Sequence, residues 1–177
     1  MKVTLSRLSE EGLDDVRLPT EWRLVPDPVI IGGCGSSDRP DWFVTLSHGD
    51  DRLMRVHLYP REHSPFTDAQ LWRNFLAIGL GYDLHLISLI DRSVVSVHLG
   101  HYFCQVAATG DYLIAASGER LFRIQPDRTV LWASDRVGLD GVVLENVEPP
   151  VITGHGEWDP PGGWQPFLVS AASGATT

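Results

Sequence analysis

Residues 154 to 164 read GHGEWDPPGGW, four glycines, two prolines, two tryptophans, a histidine and two carboxylates within eleven positions. His155 and Glu157 are two residues apart and would share one face of an extended strand. A histidine so placed is a candidate general base, with Glu157 or Asp159 as the acid that orients it. Pro160 and Pro161 stiffen the centre of the stretch, and Gly162 and Gly163 permit a sharp exit. A stiff loop would also hold Trp158 and Trp164 out as an aromatic surface at low entropic cost. Three roles stay open: a recognition element made of His155, Glu157, Trp158, Asp159 and Trp164; a lid whose tryptophans fold back on the protein; and an active site.

Other candidate chemistry is weaker. His98 and His101 in VHLGHYF have a spacing found in metal sites, but three residues along a strand point to opposite faces, so one ion would need Gly100 to turn the chain. IIGGCGSSD, residues 30 to 38, is glycine-rich, yet a phosphate loop needs a helix after it and nothing helical follows Ser37. The nucleophile elbow G-x-S-x-G is absent. No catalytic residue, metal ligand or cofactor is therefore assigned.

The elements that must position these residues are β-strands. Segments rich in Val, Ile, Leu and Phe recur between Gly, Asp, Ser and Pro clusters: WFVTLSH, RLMRVHL, FLAIG, LHLISL, SVVSVHL, YLIAAS, RLFRI, TVLWAS, GVVLENV, PVITG and QPFLVS. Such a pattern predicts an all-β fold. One short helix at most is expected, over 67–78, where Leu71, Trp72, Phe75 and Leu76 would share a face; the same residues also read as a hairpin. LHLISLIDRSVVSV and LFRIQPDRTVLWAS share a strand, an Asp-Arg turn and a second strand. Leading strands begin near Phe43, Phe75, Tyr112 and Val151, a loose period that indicates stacked β-meanders. In that frame GHGEWDPPGGW is a swollen hairpin turn. Alternation in TVLWAS places Val130 and Trp132 on one face and Leu131 on the other, and a tryptophan closing a blade-like strand is expected to pack between sheets.

GERLFRIQPDRTVLW, residues 118 to 132, resembles one blade repeat of the quinoprotein-type β-propellers: a glycine, a Leu-aromatic pair opening a strand, an Asp-containing turn and a closing tryptophan. Arg128 stands where those repeats usually carry glycine. The resemblance implies blade-like meanders and transfers no quinone or metal site. A closed propeller needs at least four four-stranded blades, so eleven segments point to an open propeller-like arc or a twisted β-sandwich.

At 177 residues one domain is expected, with a flexible lead-in over 1–20 and a flexible tail over 171–177. The N-terminus has no apolar run and carries acids at Glu10, Glu11, Asp14 and Asp15, which predicts a cytoplasmic protein. Two cysteines, Cys34 and Cys104, then read as small buried hydrophobes. No apolar stretch approaches the roughly 20 residues that span a bilayer, so no membrane is expected. The net charge of −9 disfavours nucleic acid and favours a basic protein partner. The function expected from these features is non-enzymatic binding of a protein, in outline like the bacterial immunity proteins that neutralise toxins. A small hydrolase or isomerase with its pocket under the 154–164 loop is the alternative.

Overall fold

The computed structural model describes residues 1–7, 27–33, 40–49, 51–60, 65–159 and 161–176. Among them there are fifteen strands and no helix, arranged in three four-stranded sheets and one three-stranded sheet, none closed into a barrel. The acidic residues Glu10 to Asp15, Cys34 with most of the glycine-rich segment, and Pro160 lie outside the described residues. No helix of the described residues is long and apolar enough to cross a membrane. The chain forms two compact units, Met1–His63 and Ser64–Thr177.

The first unit holds β1 (Lys2–Arg7), β2 (Val29–Gly32), β3 (Trp42–His48) and β4 (Asp51–Tyr59), in the order β1-β3-β4-β2. The β3–β4 hairpin alternates strictly, so Val44, Leu46, Met54, Val56 and Leu58 are buried on one face. β2 joins β4 in parallel, and β1 pairs with β3 over its whole length. Residues 2–7 are thus a paired strand and not a loose lead-in.

The second unit is three successive antiparallel meanders. They are β5 (Thr67–Trp72), β6 (Phe75–Leu80), β7 (Asp83–Ser88) and β8 (Val94–His98); β9 (Phe103–Thr109), β10 (Tyr112–Ser117), β11 (Leu121–Ile124) and β12 (Val130–Ala133); and β13 (Val142–Asn146), β14 (Val151–Trp158) and β15 (Gly163–Ser170). The stretch read as a possible helix is the β5–β6 hairpin. Its apolar residues match a helical face because Trp72 pairs with Phe75 and Leu71 with Leu76 across a two-residue turn. Over so short a span, cross-strand neighbours and helix-face neighbours have nearly the same spacing.

The two Asp-Arg segments occupy equivalent places, each joining the third strand of its sheet to the fourth. Asp91 Oδ1 accepts the Ser93 N–H at 3.0 Å, and Asp127 Oδ1 accepts the Thr129 N–H at 3.0 Å. These backbone and side-chain hydrogen bonds hold the Asp91 carboxyl down at about 2 and keep Asp127 below its ordinary value. Arg92 and Arg128 take positive φ values of 62° and 72°, so Arg128 adopts the backbone that a glycine would supply at this point of a blade repeat. Each repeat begins one strand earlier than its most apolar segment, at β5, β9 and β13. The eleven expected strands become fifteen with β1, β2, β5 and β9.

The three sheets stack face to face. Trp72, Ala77, Leu84 and Leu86 of the first meet Phe103, Val106, Leu113, Ala115, Phe122 and Ile124 of the middle one. On the other face of the middle sheet, Ile114, Ala116 and Leu121 meet Val142, Leu144, Ile152, Phe167 and Val169 of the last. Close approach is built in at Gly79, where an added methyl would lie 2.1 Å from the fully buried ring of Phe103. The links between sheets are stitched alike. Leu99 and Phe103 donate backbone N–H groups to Tyr82 and Gly81, while Val137 and Gly141 donate to Glu119 and Gly118.

Two expectations change here. Trp132 is half-buried rather than sandwiched: its Nε1–H donates to the Ala171 carbonyl at 3.3 Å, and Gly174 packs on its ring. Residues 171–176 are correspondingly tied down. Ser170 N donates to Ala175 O at 2.8 Å, Gly174 N to Ser170 O at 2.8 Å, Arg123 Nη1 to Ala171 O at 2.9 Å, and Thr176 bridges to Val169. β12 is an edge strand, and the tryptophan there is half-covered, packed at the margin of the core between the middle and last sheets and under residues 171–174.

Candidate partner-binding surface

β14, VITGHGEW, alternates between two environments. Ile152, Gly154 and Gly156 are buried toward the middle sheet, while Thr153, His155 and Glu157 point the other way. The buried glycines are a packing requirement. A methyl on Gly154 would lie 2.1 Å from the Val143 carbonyl oxygen, and one on Gly156 would lie 1.7 Å from that of Val137. GHGEW is therefore strand and not swollen loop, paired with β15 as far as Trp158 opposite Gly163. Of the described residues between the two strands, Asp159, Pro161 and Gly162 lie in a turn, closed by Gly162 N donating to Asp159 O at 2.7 Å.

This register brings three of the five expected site residues together. Glu157 pairs with Trp164 and His155 with Pro166 across the β14–β15 ladder, so these side chains share the outer face of the last sheet. Trp158 belongs to the opposite face and is half-buried, with Gly162 tucked against its Cβ. Asp159 is exposed in the turn. The carboxylate that meets His155 is Glu145, not Glu157 or Asp159: His155 Nδ1 and Glu145 Oε1 are 3.0 Å apart. Glu145 reaches it from a register shift between Leu144 and Asn146, which places an extra residue on β13.

Sequence reasoning named Trp164 on this face but passed over its other apolar residues, Val143 and Leu168. Val143 is 46% exposed, Leu168 48% and Trp164 49%, and all three lie on the outer side. The alternation of GVVLENV carries the signal for Val143, because Val142 and Leu144 are the buried partners. Beside the face runs a polar rim. Tyr102, in the link between β8 and β9, donates its hydroxyl to the Asp140 carbonyl and to Asp140 Oδ1 at 3.1 Å. Burial first, then the neighbouring Cys104, Asp140 and Glu157, hold the Tyr102 phenol well above its ordinary value. Burial likewise pushes the Cys104 thiol up to about 11, so it stays protonated and unreactive near neutrality.

His98 and His101 are held apart. His98 Nδ1 is 3.0 Å from Asp83 Oδ1 and its ring stacks on Tyr82, whereas His101 packs on Tyr102 with a centroid distance of 4.6 Å. No group of three or more His, Cys, Asp or Glu side chains among the described residues is arranged to hold a metal ion. No protein-family model matches the sequence, and no curated protein is similar enough to match it.

Proposed function

We propose that the chain is a non-catalytic protein-binding protein, of the kind that neutralises a toxin by covering it, and that it binds through the outer face of β13–β15. One observation carries this reading: Val143, Trp164 and Leu168 stand about half exposed on one sheet face, interspersed with His155, Glu145 and Glu157. Aromatic and aliphatic anchors among polar groups are the make-up of a binding hot spot. Acidity supplies the partner's chemistry. All 14 lysines and arginines lie at or before Arg136, and residues 137–177 hold Asp140, Glu145, Glu148, Glu157 and Asp159 without a single Lys or Arg. A basic surface is the complement. The hydrolase or isomerase reading would use the His155–Glu145 pair, but His155 is 39% and Glu145 55% exposed on an open face, without the dry enclosure that acid–base catalysis gains from.

The test is affinity capture in the native host with the wild type and the double variant Trp164→Ala, Leu168→Ser. A basic protein held by the wild type and lost from an equally stable variant is the expected result. Equal capture by both would remove this face from the function.

A further inference from the structure

We infer that the corner where Glu157 and Trp164 lie over Gly141 is a subsite for the guanidinium group of an arginine on the partner. The inference rests on the reading of the β13–β15 outer face as a protein-binding surface and names the side chain recognised there. Gly141 lies opposite Glu157 and is bonded to it, Glu157 N donating to Gly141 O at 2.8 Å. A methyl group on Gly141 would sit 3.1 Å from Cη2 of Trp164 and 3.3 Å from Oε2 of Glu157. The absence of a side chain thus lets the indole edge and the carboxylate settle side by side on the backbone, while 49% of Trp164 stays open to solvent.

A flat aromatic ring beside a carboxylate is the complement of a planar cation. Guanidinium can stack on the ring and donate two parallel N–H bonds to the carboxylate, whereas an ammonium satisfies the carboxylate as a point charge and gains less from the ring. Asp140, the next residue along, adds a second carboxylate, already oriented by the Tyr102 hydroxyl. No ion pair to Glu157 is formed among the described residues: the neighbouring His155 is paired with Glu145, and the nearest lysine or arginine in sequence, Arg136, is bonded to Glu119 at 3.0 Å. The negative charge here is unneutralised from within its own sheet.

The probes are blocked Gly-Arg-Gly, Gly-Lys-Gly and Gly-citrulline-Gly tripeptides, titrated into the ¹⁵N-labelled full chain while the Trp164 indole N–H resonance is followed. The arginine peptide should shift that resonance saturably and several-fold more tightly than the lysine peptide, with no saturable response to citrulline. Glu157→Gln should weaken the arginine response about tenfold, an amount within the range for one charge-assisted pair. Gly141→Ala should weaken it also, and a dispersed spectrum will show that this variant folds. Equal responses to arginine and lysine, or an unchanged response in Glu157→Gln, would overturn the subsite. If Trp164→Ala, Leu168→Ser loses the captured partner while the arginine peptide fails to bind, the face stands and the subsite falls. If the arginine peptide binds as expected while the double variant still captures the partner, the subsite stands and the role of the face falls.

Discussion

Gly156→Ala separates a packed strand from a loop more sharply than any other single change. A methyl at this position would lie 1.7 Å from the Val137 carbonyl oxygen, 2.6 Å from its carbon and 2.9 Å from Gly138 Cα. All three are backbone atoms, so no side chain can rotate away. The 137–141 link must move, and with it the bonds from Leu139 N to Glu157 O at 2.6 Å and from Glu157 N to Gly141 O at 2.8 Å. Forced overpacking costs about 1 to 3 kcal/mol, and two strained backbone hydrogen bonds cost roughly 1 kcal/mol each. The reduced freedom of the unfolded chain returns about 0.4 to 1 kcal/mol. The net expectation is a loss of about 2 to 4.6 kcal/mol, which at a urea slope near 2 kcal/mol/M lowers the midpoint by roughly 1 to 2.3 M. Gly110→Ala is the control, because nothing lies within 4 Å of its added methyl and only the φ of 48° is penalised, at about 1 to 2 kcal/mol. A Gly156→Ala midpoint equal to or above that of the wild type would mean that the stretch is a loop after all and that the register of β13 against β14 is wrong.

Trp132→Ala should cost about 2 kcal/mol, less than the 3 to 5 kcal/mol of a fully buried aromatic, because the ring is only half-buried, between residues 171–174 and the margin of the core; a midpoint drop as large as that of Phe103→Ala would contradict its half-exposed setting. Arg128→Gly should change stability by less than about 1 kcal/mol, since relief of the φ of 72° offsets the lost bond to Ser93 Oγ at 3.0 Å and the stacking on Phe75, whereas Arg128→Val should cost about 2 kcal/mol. A stable Arg128→Val variant would refute the left-handed turn. His85 is 8% exposed and its Nδ1 is 2.8 Å from Ser96 Oγ; burial lowers its pKa below 6.5 against a smaller opposing effect of Asp83. The unfolded chain then binds the proton first as pH falls, so stability holds above pH 6.5 and declines below it toward the folded-state pKa. Urea midpoints between pH 7.5 and 5 should fall less in His85→Asn than in the wild type, and parallel profiles would show that His85 does not contribute.

Much of the candidate surface was legible one strand at a time. The i, i+2 relation of His155 and Glu157 follows from strand geometry alone, and it held. Trp164 joins them only because the β14–β15 register places it opposite Glu157, and that register depends on a turn four residues long. The sequence shows the proline and glycine of that turn but not its length. Glu145 was out of reach, since it meets His155 through a bulge in a different strand. Tyr102 and Asp140 lie on links of two different sheets and come together only when the sheets stack.

What the sequence determines by itself is whatever repeats with the backbone's own period. Two-residue alternation of apolar side chains dictates strands, and the twice-used Asp-Arg turn dictates equivalent hairpins, because a carboxylate bonding the amide two residues on is a local event. What only the tertiary structure decided is the meaning of residues whose partners are distant in the chain. Gly154 and Gly156 read as loop glycines until Val137 and Val143 close on them. Leu71, Trp72, Phe75 and Leu76 fit a helix or a hairpin equally, and packing of Trp72 and Phe75 against the Phe103 cluster accompanies the sheet. Trp132 finds its cover in Ala171 and Gly174, some forty residues away. In each case the deciding energy is steric exclusion or burial between segments that the local pattern does not connect, and that energy exists only once the sheets have met.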